Sequence, residues 1–312
     1  HAILVALKNE IRYVDVNDPD RVLFTHLFER DIVSVDFSLD GRLFLVCQEF
    51  QATLWDIQTL SVVHPIEDTS VLITDANFSG DGKSVLLSYE NGVTKKLEID
   101  SPRLLIVSGG ISPTDQLVEK TKALSEYVYK TAMHRQYESG TIRYLSAFDY
   151  EKDLNGDLDS SNDILPLTKA SLKSSILDWA SDGRISSGRR LLVYLVDHGL
   201  PAIEDSMTGV ADVYFQINPR ETVSSREMDS WLDTLTTNGN NIDVTLVVES
   251  CYSGWFVKNC TPPAGYKRLV ISSAGLDSEA VIMPPPNLSS FSYIFWGAAY
   301  MGASMHESFR IA

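Results

Sequence analysis

Val244-Thr245-Leu246-Val247-Val248-Glu249-Ser250-Cys251-Tyr252-Ser253-Gly254 opens as a dense apolar, β-branched run and turns polar within one residue. The run reads as a strand buried on both faces of a parallel sheet. Ser253-Gly254 then permit a tight turn. Open α/β sheets place ligands and reactive groups at the carboxyl ends of their strands, which is where this reading puts Cys251. The competing reading is a small buried hydrophobe, the commonest role of a free cysteine.

A second stretch, Leu191-Leu192-Val193-Tyr194-Leu195-Val196-Asp197-His198-Gly199, repeats the design: a buried strand that ends in polar residues. Two neighbouring parallel strands ending in His198 and Cys251 bring imidazole and thiol to one sheet edge. The thiolate is the nucleophile, and a nearby imidazole serves as base and later as acid. Gly199, without Cβ, lets its backbone N–H approach a developing oxyanion alongside the Cys251 N–H. The sequence therefore predicts His198, Cys251 and Gly199 as catalytic.

Residues Val193 to Gly199 and Glu249 to Gly254 resemble the histidine and cysteine motifs of the legumain-like (C13) cysteine peptidases, Asp-His-Gly and Glu-Ala-Cys-x-Ser-Gly. Ser250 stands here in place of the alanine. The resemblance covers residues 102–312 and implies a caspase-type fold. It also implies endopeptidase activity or, in some relatives, transpeptidation through the same His-Cys dyad. It further implies that Glu249, Ser272 and Ser273 line the substrate pocket. Those relatives carry an Arg-His pair after the first strand, where this sequence has Gly109-Gly110-Ile111-Ser112. The expected preference is thus for a donor side chain, asparagine or a basic residue, over aspartate.

Residues 1–100 repeat themselves. The segment from Val33 to Arg42 recurs from Thr74 to Lys83, and each copy is a short alternating strand followed by an Asp-Gly turn. Tyr13-Val14-Asp15-Val16 likewise matches Leu54-Trp55-Asp56-Ile57 and Lys96-Leu97-Glu98-Ile99. Two landmarks at one spacing resemble WD40 propeller blades, two full and part of a third, which implies protein partners. Both chain ends read as cut from a longer protein.

Ser101-Pro102 marks the boundary, after which β repeats give way to alternating β and α. Strands are expected at Leu104 to Val107, Thr141 to Leu145, Arg190 to Val196, Val213 to Ile217, Val244 to Val248 and Lys267 to Ser272. Helices are expected from Asp115 to Gln136, from Thr168 to Trp179, after the capping pattern Ser224-Ser225-Arg226-Glu227, and within Phe291 to Phe309. The fold class is therefore multi-domain: partial all-β propeller blades, then an α/β domain with a mostly parallel sheet flanked by helices.

Composition narrows the function classes. A formal net charge of −16 disfavours nucleic acid or an anionic membrane as partner, since both reward Lys and Arg. No run reaches the ~20 apolar residues of a membrane span. Three cysteines make no disulfide framework. Asp153, Asn155, Asp157 and Asp159 place oxygens at alternate positions, as calcium loops do, but glycine and the closing Glu of an EF-hand are misplaced or missing. The alternative is a solvated Asp/Asn/Gly turn with no cofactor. An interaction scaffold with an inactive α/β domain is the remaining function class, although His198, Gly199 and Cys251 are all retained. The compartment is not legible.

Overall fold

The computed structural model describes residues 2–38, 41, 43–57, 60–67, 71–99, 102–135, 137–148, 151–160, 163–181, 190–204, 211–238, 242–283 and 289–312. Asp40 and Arg42 of the first repeat, Ser101 of the boundary and Gln136 lie outside them. The chain divides into two compact units, the second taking over from the first at residue 101.

The first unit holds three antiparallel sheets. One comprises β1 (Ala2–Leu7), β2 (Glu10–Asp15) and β3 (Asp18–Leu27); the next β4 (Ile32–Phe37), β5 (Leu43–Gln48), β6 (Gln51–Asp56) and β7 (Ser61–Glu67); the last β8 (Ile73–Phe78), β9 (Ser84–Tyr89) and β10 (Thr94–Glu98). The repeat of the sequence is the repeat of the strands: β4 and β8 occupy matching positions, and β2, β6 and β10 each end on the acidic landmark. Among the described residues the middle sheet has four strands and the other two have three each. Ser34 and Asp36 on β4 tie the neighbouring sheet in place. Asp36 Oδ2 accepts the Phe78 N–H at 2.7 Å, and Ser34 Oγ accepts the Ala76 N–H at 3.0 Å. Trp55 of the Trp-Asp dipeptide is buried among Phe24, His26, Phe28 and Phe44.

The second unit is built on a six-stranded sheet in the order β13-β12-β11-β14-β18-β19, with every pairing parallel. Its strands are β11 (Arg103–Ser108), β12 (Ile142–Ser146), β13 (Ile164–Pro166), β14 (Arg190–Val196), β18 (Asp243–Glu249) and β19 (Arg268–Ser272). A separate antiparallel sheet joins β15 (Gly199–Glu204), β16 (Ala211–Asn218) and β17 (Glu221–Ser224). The sequence predicts only the middle strand of that sheet, because β15 carries Gly199 and Pro201 and buries none of its residues fully, and β17 is only four residues long.

Alternate residues of each central strand enter two cores, which is why these strands read as unbroken apolar runs. Leu105, Val193, Leu195, Leu246 and Val248 face α2 (Lys169–Ser174), its continuation as a π-helical turn (Ser175–Trp179), α3 (Ser225–Thr237) and α4 (Gly254–Asn259). Leu104, Ile106, Tyr194, Val196 and Val247 face α1 (Val118–His134) and α5 (Phe291–Tyr300). The expected caps are present. Thr168 Oγ1 accepts the Ser171 N–H, and Ser224 and Glu227 exchange side-chain and backbone bonds. The last expected helix is in fact two, since α5 stops before Gly302, at φ 102°, and α6 (Met305–Ile311) starts anew from Ser304.

Candidate active site

The order of the sheet reverses at β11, whose chain-neighbour β12 lies on one side while β14 lies on the other. A crevice opens outside the carboxyl ends of strands at such a switch point. His198 follows the end of β14 there, and Cys251 follows the end of the adjoining β18, with Val196 registered against Glu249. Adjacency of the two strands thus brings the two predicted residues to one corner.

Gly199 locks that corner. A Cβ built on it would stand 1.9 Å from the Cys251 carbonyl oxygen and 3.1 Å from Ser250 Oγ, so only glycine lets the histidine and cysteine segments touch. The Gln216 N–H donates to the His198 carbonyl at 3.0 Å, and Gly199 is registered against Phe215. In an antiparallel ladder the next residue's N–H then points away from the partner strand. The Gly199 N–H is therefore left outside the β15–β16 ladder. Tyr252, just past the cysteine, is held at φ 59°, a left-handed conformation costly for an aromatic residue. Its N–H donates to the Ser278 carbonyl at 2.8 Å, and Cys251 Sγ lies 4.0 Å from the Ala280 carbonyl oxygen.

His198 turns its ring toward a residue the sequence reading missed as a site residue. Its Nε2 lies 2.7 Å from Asp115 Oδ2, and no thiol–imidazole hydrogen bond forms among the described residues. Asp115 is not the first turn of α1, as expected, but a loop residue before it, with its other oxygen accepting the Leu117 N–H at 2.9 Å. Burial alone would raise this carboxyl, but the Leu117 N–H and the His198 ring outweigh it and hold the pKa below its ordinary value. The available signal was its place between the first strand and the first helix, on the rim of the switch-point crevice.

Asp197 is the opposite case. It is 3% exposed, its Oδ2 has no hydrogen-bond partner, and burial pushes its pKa up to about 7 against the pull of the adjacent His198. Glu249 is 1% exposed, and burial raises its pKa too, partly countered by the hydroxyls of Ser292, Ser290 and Ser273. Its Oε2 accepts the Ser292 N–H at 2.6 Å, while Oε1 has no partner. Of the serine pair, Ser273 joins Glu249. Ser272 is registered against Val248, whose side chain enters the other core, so strand alternation turns it to the opposite face. Ser290 and Ser292, which the sequence reading did not single out, complete the polar surround of Glu249.

The acidic loop does not gather into a metal site. Asp153 accepts the Gly156 and Leu158 N–H groups, Asp157 accepts that of Asp159, and Asn155 bridges Asp157 and Asp163. The side chains close the turn on itself, with Gly156 and Leu158 at positive φ, and no metal-holding cluster occurs among the described residues. These bonds are those of a self-capped turn, the alternative reading of this loop. No described helix is long and apolar enough to cross a membrane.

No family model matches the chain, and no curated protein does. Among solved structures, the C-terminal WD40 domain of Sif2 is similar to it at 16% identity and a TM-score of 0.28. The alignment covers 31% of this chain and 28% of that one, so the chain spans under a third of that structure's length.

Proposed function

We propose that the second unit is a cysteine endopeptidase of the legumain-like type, with Cys251 as nucleophile and His198 as general base. The observation that carries this reading is the corner itself: adjoining parallel strands end in His198 and Cys251, and Gly199 lies against the Cys251 carbonyl. Asp115 orients the imidazole. In the reaction His198 takes the thiol proton and the thiolate adds to the scissile carbonyl. The oxyanion is received by the Gly199 and Cys251 N–H groups, and the amine leaves with the proton from His198. Water, or an amine in a transpeptidase, then resolves the thioester. A thiol–imidazole contact requires the His198 ring to turn, as catalytic bonds often tighten only with substrate bound.

The resemblance assigns Glu249 to a hydrogen-bond-accepting pocket, which favours asparagine or a basic side chain over aspartate. The blade-like unit is assigned to protein partners on the strength of its repeat. The test is labelling of the full chain with an acyloxymethyl-ketone peptide probe, followed by location of the modified residue. Modification at Cys251, lost in His198→Ala, is expected. Label on Cys260, or none with any peptide, would leave the interaction-scaffold reading in its place.

A further inference from the structure

Away from the dyad, a cavity of about 400 Å³ opens between β12, β13 and α2. That is within the ordinary range of small-ligand sites. Leu145, Leu165 and Pro166 give it an apolar wall, while Arg143 and Ser174 supply donors; the Ser175 hydroxyl already donates to the Ser171 carbonyl at 2.7 Å. Arg143 Nη1 donates to Ser175 Oγ at 3.3 Å, and its guanidinium stacks on the Trp179 ring at 4.7 Å. Arg103 stacks on the same ring at 5.3 Å. The ring, itself outside the cavity lining, thus packs against two cations, of which Arg143 lines the cavity.

The electrostatics are unusual for this chain. Acidic residues outnumber basic ones, 42 to 26. Yet the cavity lining contains no carboxylate among the described residues. Ser175 is the one hydrogen-bond partner of Arg143 among them, so most of its five N–H donors remain for a ligand. Burial, and then the like charge of Arg103, lower the Arg143 pKa from its ordinary value. A charge that is half desolvated and faced by another cation is stabilised by an arriving anion. The turn that holds Ser175 and Trp179 is π-helical, a distortion associated with functional sites.

We propose that this cavity binds a small phosphate monoester, its phosphate forked by Arg143 and its apolar body laid against Leu145, Leu165 and Pro166. A guanidinium matches a phosphate bidentately, and the Ser174 hydroxyl can serve a remaining oxygen. The volume exceeds what a bare phosphate fills, which assigns the rest to an organic body. This site is independent of the dyad and of the proposed peptidase activity.

Calorimetric titration of the full chain tests it, with phenyl phosphate, inorganic phosphate and benzoate as probes. Phenyl phosphate is expected to bind one to one and more tightly than either of the others. Inorganic phosphate reports the anion site alone, and benzoate reports a carboxylate of the same shape. Arg143→Gln should weaken phenyl phosphate roughly tenfold or more, the worth of a charged hydrogen-bonding group. Because Arg143 also packs on Trp179, Ser174→Trp serves as the second variant. Ser174 is exposed at the cavity and can be enlarged without entering a core. It should block binding while leaving the melting temperature unchanged. Absence of saturable binding, benzoate binding as well as phenyl phosphate, or undiminished binding in Ser174→Trp would overturn the proposal.

Discussion

The parallel sheet buries charge in two contrasting ways at its two ends. At the start of β19, Arg268, with a side chain 1% exposed, donates Nη1 to Asp229 at 2.6 Å and Nη2 to Asp233 at 2.8 Å. Its charge is answered by two carboxylates of α3. At the carboxyl ends of β14 and β18, Asp197 and Glu249 are just as buried, yet neither has a salt-bridge partner among the described residues; Asp197 Oδ2 and Glu249 Oε1, like Arg268 Nε, also lack a hydrogen-bond partner. Native proteins tolerate such incomplete burial chiefly where it is functional. The amino end pairs its buried charge, and the carboxyl end leaves two buried carboxyls without a cation to pair them.

That contrast breaks most visibly in activity. Cys251→Ala and His198→Ala are each expected to cut peptide turnover about a thousandfold or more, with urea midpoints close to that of the parent. Near-parental turnover by purified Cys251→Ala would remove the carboxyl end from the chemistry altogether.

Asp197 gives the largest expected effect on stability. Its pKa is raised from an ordinary 3.8 to about 7, so the folded state binds the proton more tightly than the unfolded one. The contribution to stability is therefore full below about pH 4 and is lost as pH rises toward 7, at ~1.4 kcal/mol per unit. Asp197→Asn should match the parent near pH 4 and exceed it above pH 7 by a few kcal/mol at most. Asp115, whose pKa is lowered, contributes the opposite slope to both proteins and cancels from the difference. Urea unfolding of the pair across this range decides it, and a difference that stays flat with pH refutes the buried-charge account.

The features legible in the sequence are those written in short-range pattern. Strands buried on two faces announce themselves as Leu191 to Val196 and Val244 to Val248, and their polar ends mark His198 and Cys251. The 41-residue offset of the repeats equals the offset between β4 and β8 because each repeat is one supersecondary unit. Asp115 stayed hidden because it meets His198 across 83 residues, through a sheet order that no local window contains. Ser290 and Ser292 were missed for the same reason, reaching Glu249 from a helix start more than 40 residues on. The acidic loop was open to two readings because alternating oxygens serve a self-capped turn as well as a cation.

At the amino end, Arg268→Met is expected to lower stability by about 2 kcal/mol. A fully buried pair broken on one side costs more, but Asp229 and Asp233 are partly exposed and water screens them. Turnover per folded molecule should be unchanged, and this sharpens the comparison from the scaffold side. A loss of kcat larger than the loss of folded protein would mean that the two ends are coupled.

Cys260 offers the finest test, because it sets a buried thiol beside a partly buried one within ten residues. It is 2% exposed, donates to the Ser225 carbonyl at 3.3 Å, and has its pKa pushed up by burial and then by Asp229. A thiol held neutral and out of water is a poor nucleophile, whereas Cys251 is only partly buried at the end of its strand. Iodoacetamide should therefore alkylate Cys251 in the folded protein and reach Cys260 only after unfolding. Cys260→Ala removes a small packed side chain and one weak hydrogen bond, so about 1 kcal/mol should be lost and turnover kept. Equal alkylation rates at the two thiols in the folded protein would show that burial does not separate them, and the distinction between a scaffold cysteine and a reactive one would fail.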